Sequence, residues 1–267
     1  MASGKQSLIR ARILVKAYPQ PSKTYGETVC VAAVSEDGRE MLRLYPIRYR
    51  RLPKAAQFNR FDLVELRVEK PKDDHRPESH HVDEESIRIL EHGTAISNES
   101  KVRLWRQHVA PSLKALQQDN KTQRRSLGIV RPDPGSLRFF VRPIAEANEQ
   151  DQAIAESLIQ QNSLFEDPLT PMQRSGYVFG YRFTSDGHSH EHMIHDWEVQ
   201  AAFFQYRKRY GDNALAMLTQ EYGDNIPQRN LHFILGTMKA HPTTFIVIGL
   251  LRSPVAPEDL ERQGDLF

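Results

Sequence analysis

Glu27–Tyr45 reads ETVCVAAVSEDGREMLRLY. Two apolar, β-prone runs, 27–34 and 41–45, flank the turn residues Glu36-Asp37-Gly38. An Asp-Gly between two such runs predicts a β-hairpin. Upstream, Arg12–Lys16 alternates, which places Ile13 and Val15 on one face of a strand. Downstream, Phe61–Lys70 alternates more cleanly, with Val64, Leu66 and Val68 facing one way and Glu65, Arg67 and Glu69 the other. That is the pattern of a half-buried antiparallel strand.

Further out the pattern changes. Residues 71–81, PKDDHRPESHH, read as a polar loop. Asn98–Gln118 is helical in pattern, with Asn98 or Ser100 as N-cap, Val102, Trp105 and Val109 on one face, and a break at Pro111. Leu137–Val141 reads as a strand. Between Pro143 and Gln173 there is no Lys or Arg, yet Glu146, Glu149, Asp151, Glu156, Glu166 and Asp167 all lie there. This is the expected acidic connector.

Beyond it, a strand Tyr177–Thr184, a Ser185-Asp186-Gly187 turn and a His-rich strand to His195 form a second hairpin. Asp196 is placed to cap a helix that Gly211 stops. A helix over Asn213–Tyr222 and strands Leu231–Leu235 and Phe245–Leu251 complete the half. The expected division is 8–143, connector 144–172, 173–254 and a polar tail 255–267. Short antiparallel strands, Asp-Gly turns and interposed helices suit an α+β, mostly β class with small barrels.

Composition excludes several classes. Of 267 residues, 39% are apolar and 26% charged, too apolar for a disordered chain. No apolar run approaches a membrane span, and the N-terminal residues lack a signal-peptide core, so a cytoplasmic, nucleoid-associated protein with no membrane partner is expected. Cys30 is the single cysteine, which rules out a disulfide framework. There is neither a GxGxxG after a strand nor a GxxxxGK[ST], so neither of these nucleotide-phosphate loops is expected, and no cofactor is assigned. Net charge is +2, so any nucleic-acid binding has to come from local patches.

Lys16-Ala17-Tyr18-Pro19, Glu27-Thr28-Val29-Cys30, Arg43-Leu44-Tyr45-Pro46-Ile47 and Phe58–Asp62, with the later His232-Phe233, Gly236-Thr237 and Phe245–Gly249, resemble the bacterial dual OB-containing domain proteins. The resemblance covers about residues 11–253 and implies two OB-like antiparallel β-barrel halves with interposed helices. It carries over no catalytic residues. OB folds commonly bind single strands.

Two pentapeptides share the pattern Gln-x-[Ser/Asp]-Leu-Phe: Gln161–Phe165 and Gln263–Phe267. Both resemble the peptide by which bacterial polymerases and repair proteins bind the sliding clamp. The resemblance implies that Gln161 and Gln263 hydrogen-bond at the rim of the clamp cleft, that Leu164 with Phe165 and Leu266 with Phe267 fill it, and that Ser163 and Asp265 take the small polar position. Adjacent apolar anchors on an extended segment make a compact hot spot.

Cations interleaved with aromatics mark the expected nucleic-acid contacts: Lys23, Arg43, Tyr45, Arg48, Tyr49, Arg50 and Arg51, with Arg124 and Arg125 in a second basic group that also holds Arg138 and Arg142 near Phe139 and Phe140. Charge follows the phosphates and rings stack on bases. The expected function is a non-enzymatic protein that binds nucleic acid, single-stranded DNA foremost, and is recruited to the bacterial sliding clamp in replication, repair or defence. The alternative is a metal-dependent phosphodiester hydrolase. His188, His190 and His192 stand at i, i+2 and i+4, so on a strand their imidazoles point the same way, as a zinc site requires.

Overall fold

A computed structural model of the chain describes residues 6–22, 26–146, 175–239 and 241–254. The first half is built on the hairpin at Gly38. β3 (Gly26–Ser35) and β4 (Met41–Ile47) pair antiparallel, Val34 opposite Met41. Gly38 sits at φ +74°, a conformation that glycine adopts without steric cost. β1 (Ser7–Lys16) pairs antiparallel with β3 and also with β5 (Leu63–Glu69). β5 pairs with β6 (Ser79–Glu91), and β6 meets β4 in a short parallel ladder at Arg43 and Leu44. The pairings therefore run from β1 through β5, β6, β4 and β3 back to β1, while β2 (Gln20–Ser22) adds to β3. Ile13, Val31, Leu44, Phe58, Val64, Leu66, Val68 and Ile87 form one buried cluster within this ring.

β1 departs from simple alternation. Ile13 and Val15 do not share a face, because the register against β3 shifts between them. Ile13 stays in the ring's core, while Leu14 and Val15 join a second core shared with the other half. A bulge of this kind re-aims side chains at the cost of one unpaired residue.

The second half holds two sheets. β7 (Val109–Ala110), β8 (Leu127–Val130), β12 (His232–Thr237) and β13 (Phe245–Leu251) make a four-stranded sheet in the order β13-β12-β8-β7. β9 (Arg138–Pro143), β10 (Tyr177–Ser185) and β11 (His188–Met193) make a three-stranded one, and a parallel bridge from Ile194 to Val247 links the two. β9 precedes the acidic stretch and β10 follows it, so that stretch is no boundary between sheets. β8 and β12 are buried on both faces. Ile129 and Ile234 face the first half, while Val130, Phe233 and Leu235 face the second half's own core. That explains their unbroken apolar runs.

Four α-helices complete the described residues: α1 (Asn98–Trp105), α2 (Leu113–Gln123), α3 (Trp197–Tyr210) and α4 (Ala214–Gln220). Ser97, not Asn98 or Ser100, caps α1 by accepting from the Ser100 N–H. Pro111 separates α1 from α2, whose cap is Ser112. Asp196 caps α3 and Gly211 ends it, as the sequence predicts. Val199 and Phe203 on α3 and Leu218 on α4 pack on Phe179, Tyr181 and Phe233. No helix among the described residues is long and apolar enough to cross a membrane.

The two halves are locked at a polar and apolar seam. A Cβ at Gly249 on β13 would lie 2.5 Å from Val15, so only glycine permits this approach of β13 to β1. Arg43 reaches across to Ser126, and Glu78 accepts from the Ser126 N–H and hydroxyl. Arg60 donates to the Leu250 carbonyl at 2.6 Å and pairs with buried Asp196 at 3.2 Å. The 71–81 segment does more than loop: Arg76 donates to the Thr237 carbonyl, and Asp73 pairs with Lys239.

Candidate nucleic-acid interface

Tyr45 is the outward aromatic of β4, at 39% exposure. Its neighbours Leu44 and Ile47 are buried, so the strand's burial pattern pushes this ring out. The chain then turns through two 3₁₀ turns, Tyr49–Arg51 and Lys54–Ala56, which carry Arg50, Arg51 and Lys54. Arg51 and Lys54 are exposed. Arg48 pairs with Glu84 at 2.8 Å and Arg50 with Glu27 at 2.8 Å. Arg48, Arg50, Arg51 and Lys54 thus gather at this edge beside an exposed ring, with Glu84 and Glu27 among them. Pairing holds the two guanidiniums in place but lowers their net attraction for phosphate.

Two of the expected contacts lie elsewhere. Arg43 is 4% exposed and donates to the Ser126 carbonyl and hydroxyl, at 2.9 and 3.1 Å, and to the Cys30 sulfur. It shares the outer face of β4 with Tyr45, but the second half covers its end of that face. Tyr49 is packed edge-on against Phe58 and Trp197, and its hydroxyl donates to the Phe58 carbonyl at 2.6 Å. Lys16 completes this cluster. Its ammonium lies 4.1 Å from the Tyr49 ring centre and donates to the Tyr49 hydroxyl and the Phe58 carbonyl. Burial lowers the Lys16 pKa to about 8, against the pull of Glu198 and Asp62. Burial likewise raises Tyr49 to about 12.

In the second group, Arg124 is exposed in the left-handed conformation that ends α2, and Arg125 pairs with Asp119 and donates to the Leu127 carbonyl. Lys23, Gln161, Leu164, Phe165, Gln263, Asp265, Leu266 and Phe267 lie outside the described residues.

The histidines lie on one face of their strand, as their spacing requires, but it is the core-side face: His190 and His192 are partly buried there, and His188 at the strand's start is exposed. His188, His190 and His192 lie opposite Ser185, Phe183 and Tyr181 on β10, the face that packs on the core. His190 and His192 lie against the Phe183 ring, with 6.1 Å between their own ring centres. Burial, helped by neighbouring His190, depresses His192 to about 4 despite a hydrogen bond to the Phe245 backbone. Burial alone does the same to His195, which is also about 4. Among the described residues no group of three or more His, Cys, Asp or Glu is placed to hold a metal ion. His75 does not join them: the acids near it in sequence are engaged with Lys239, Arg76 and Ser126.

Sequence reasoning missed one arrangement. On the three-stranded sheet, Phe140 on β9 lies opposite Gly180 on β10, and a Cβ at Gly180 would collide with the Phe140 ring. Arg142 lies 4.5 Å and Arg182 5.7 Å from that ring's centre. The β9 alternation of Arg and Phe was the available signal, but its partner Arg182 is far away in sequence.

Residues 8–110 match the family model of the domain of unknown function DUF8758, and residues 107–267 match that of the domain of unknown function DUF8757. The second match spans more than half of the chain. The chain belongs to the DUF8757 family. The two matches meet at 107–110, where β7 opens the second half's sheet. No curated protein matches this DUF8757 chain.

Proposed function

We propose that this chain is a non-enzymatic nucleic-acid-associated protein of the bacterial cytoplasm, that its first half is an OB-like barrel binding single-stranded DNA, and that the Gln263–Phe267 peptide recruits it to the sliding clamp in replication, repair or defence. The observation that carries the first part is the ring of five paired strands bearing exposed Tyr45 beside Arg48, Arg50, Arg51 and Lys54. A five-stranded, largely antiparallel ring is the architecture of OB domains, and an aromatic set among cations is how they hold single strands without sequence preference. The OB-like reading of the second half rests on less, the bridge that joins its two sheets. The clamp part rests on the peptide's likeness in sequence. A clamp tether would offset the modest affinity expected of a chain with net charge +2, by raising local concentration.

The test is a pair of titrations. Labelled oligothymidylate in fluorescence anisotropy should bind the chain and lose affinity in Tyr45→Ala and Arg51→Glu. A purified bacterial clamp in calorimetry should bind the full chain and not the Leu266→Ala/Phe267→Ala variant. Absence of oligonucleotide binding at low salt overturns the first part, and absence of clamp binding overturns the second.

A further inference from the structure

We propose that the outer face of the β9-β10-β11 sheet is a second single-strand contact, in which Phe140 and the guanidiniums of Arg142 and Arg182 stack on bases while Arg138 meets phosphate. The proposal extends the single-strand reading above to a face which that reading does not use.

Strand pairing defines this face. Arg138, Phe140 and Arg142 on β9 lie opposite Arg182, Gly180 and Val178 on β10, and Arg182 in turn lies opposite Glu191 on β11. The other face of the same strands sends Phe179, Tyr181 and Phe183 into the core. Arg and Phe on the outer face are therefore not core residues by necessity.

The face is built rather than merely exposed. Gly180 leaves a seat for the Phe140 ring. Arg142 lies 4.5 Å from the ring centre, within reach of a cation–π contact. Glu191 accepts from Arg142 at 2.5 Å and from Arg182 at 2.6 Å, so one carboxylate orients both guanidiniums beside the ring. Among the described residues, Arg138, Arg142 and Arg182 stand against Glu191 and against Asp133, which accepts from the Thr184 hydroxyl at the end of the same face, so the balance there is positive by one charge. The Arg182 side chain is 63% exposed. Planar guanidiniums flanking a phenyl ring offer π-faces to bases, and surplus charge complements the phosphodiester chain. An acidic peptide would use the charge but has no use for the ring's preparation, which favours nucleic acid. At the Arg138 end a groove of about 400 Å³ opens between residues 131–138 and 223–231; Asp133 and Asp224 line it beside Arg131 and Arg138, so it adds no net positive charge to the face.

The test uses the full chain and labelled oligothymidylates. Phe140→Leu, which keeps an apolar group over Gly180, should weaken binding on the order of fivefold with the salt slope unchanged. Arg182→Glu should weaken binding by roughly tenfold or more, because it removes a stacking guanidinium and sets a further carboxylate against the phosphodiester chain. Melting temperatures of both variants check folding. Photo-crosslinking of a thymidine oligonucleotide, with mapping of the adduct, should mark the 138–142 segment. If both variants bind like the parent while Tyr45→Ala and Arg51→Glu lose affinity, this proposal fails and the barrel reading stands. If Phe140→Leu and Arg182→Glu lose affinity while the barrel variants do not, the proposal stands and the barrel assignment fails. Absence of binding by the parent overturns both.

Discussion

Arg43→Met separates the two roles open to this arginine. Arg43 was expected among the nucleic-acid contacts, but it is 4% exposed and joins the halves through Ser126. Methionine replaces its stem and removes the contact with the Cys30 sulfur and two charge-assisted hydrogen bonds to Ser126, these two each worth roughly 1.5–3 kcal/mol. The Ser126 carbonyl keeps its bond from the Thr237 N–H, so it is not stranded. Glu78, 9% exposed, keeps the Ser126 N–H and hydroxyl but loses the cation on the other side of Ser126. Removing one member of a buried charge network costs about 3–5 kcal/mol, and the surviving bonds argue for the low end, about 3 kcal/mol. At about 2–4 °C per kcal/mol for a chain of this size, the melting temperature should fall by about 6–12 °C. Circular dichroism against temperature measures it. Oligonucleotide affinity, measured well below the transition, should equal the parent's. A melting shift below about 2 °C, or an affinity loss without one, would refute the seam role and return Arg43 to the binding surface.

The same geometry fixes four more outcomes. His192 and His195 titrate near 4 in the folded chain and nearer 6.5 once unfolded, so the unfolded chain takes up more protons between those values. Stability present above pH 6.5 should therefore be lost as pH falls towards 4, and His192→Gln should shallow that decline in urea melts. Lys16 is depressed to about 8, so the unfolded chain again holds more protons up to its ordinary value near 10.5; parent stability should rise across that window relative to Lys16→Met, and parallel curves would count against the aromatic cluster as its environment. Gly249→Ala should lower the melting temperature by several degrees, because its Cβ meets Val15. Chelator treatment should leave the melting temperature unchanged; a drop accompanied by stoichiometric zinc release would revive the histidine site.

Much of the fold is legible in the sequence where local rules act alone. Asp37-Gly38 fixes the first hairpin, Pro111 separates two helices, and Asp196 and Gly211 bound α3. What local rules miss is long-range. β6 hides behind Asp83, Glu84 and Glu85, because only Val82 and Ile87 of its middle reach the core. The β1 bulge is invisible until β13 approaches with Gly249. For the site, spacing correctly predicted that the three histidines point together, but not that the core lies on that side. Cations interleaved with Tyr45 and Tyr49 looked like one surface. Which of them faces solvent depends on where the second half docks, which covers Arg43, and on Trp197, which packs on Tyr49.

Whether this chain holds single strands at the Tyr45 edge is decided by fluorescence anisotropy of a labelled oligothymidylate against the full chain at several salt concentrations. Saturable binding is predicted, with an affinity that falls with salt at a log–log slope of about −0.7 for each phosphate held, and that weakens in Tyr45→Ala without a change in melting temperature. Binding that is absent at low salt, or that is indifferent to Tyr45 and Arg51, would contradict it.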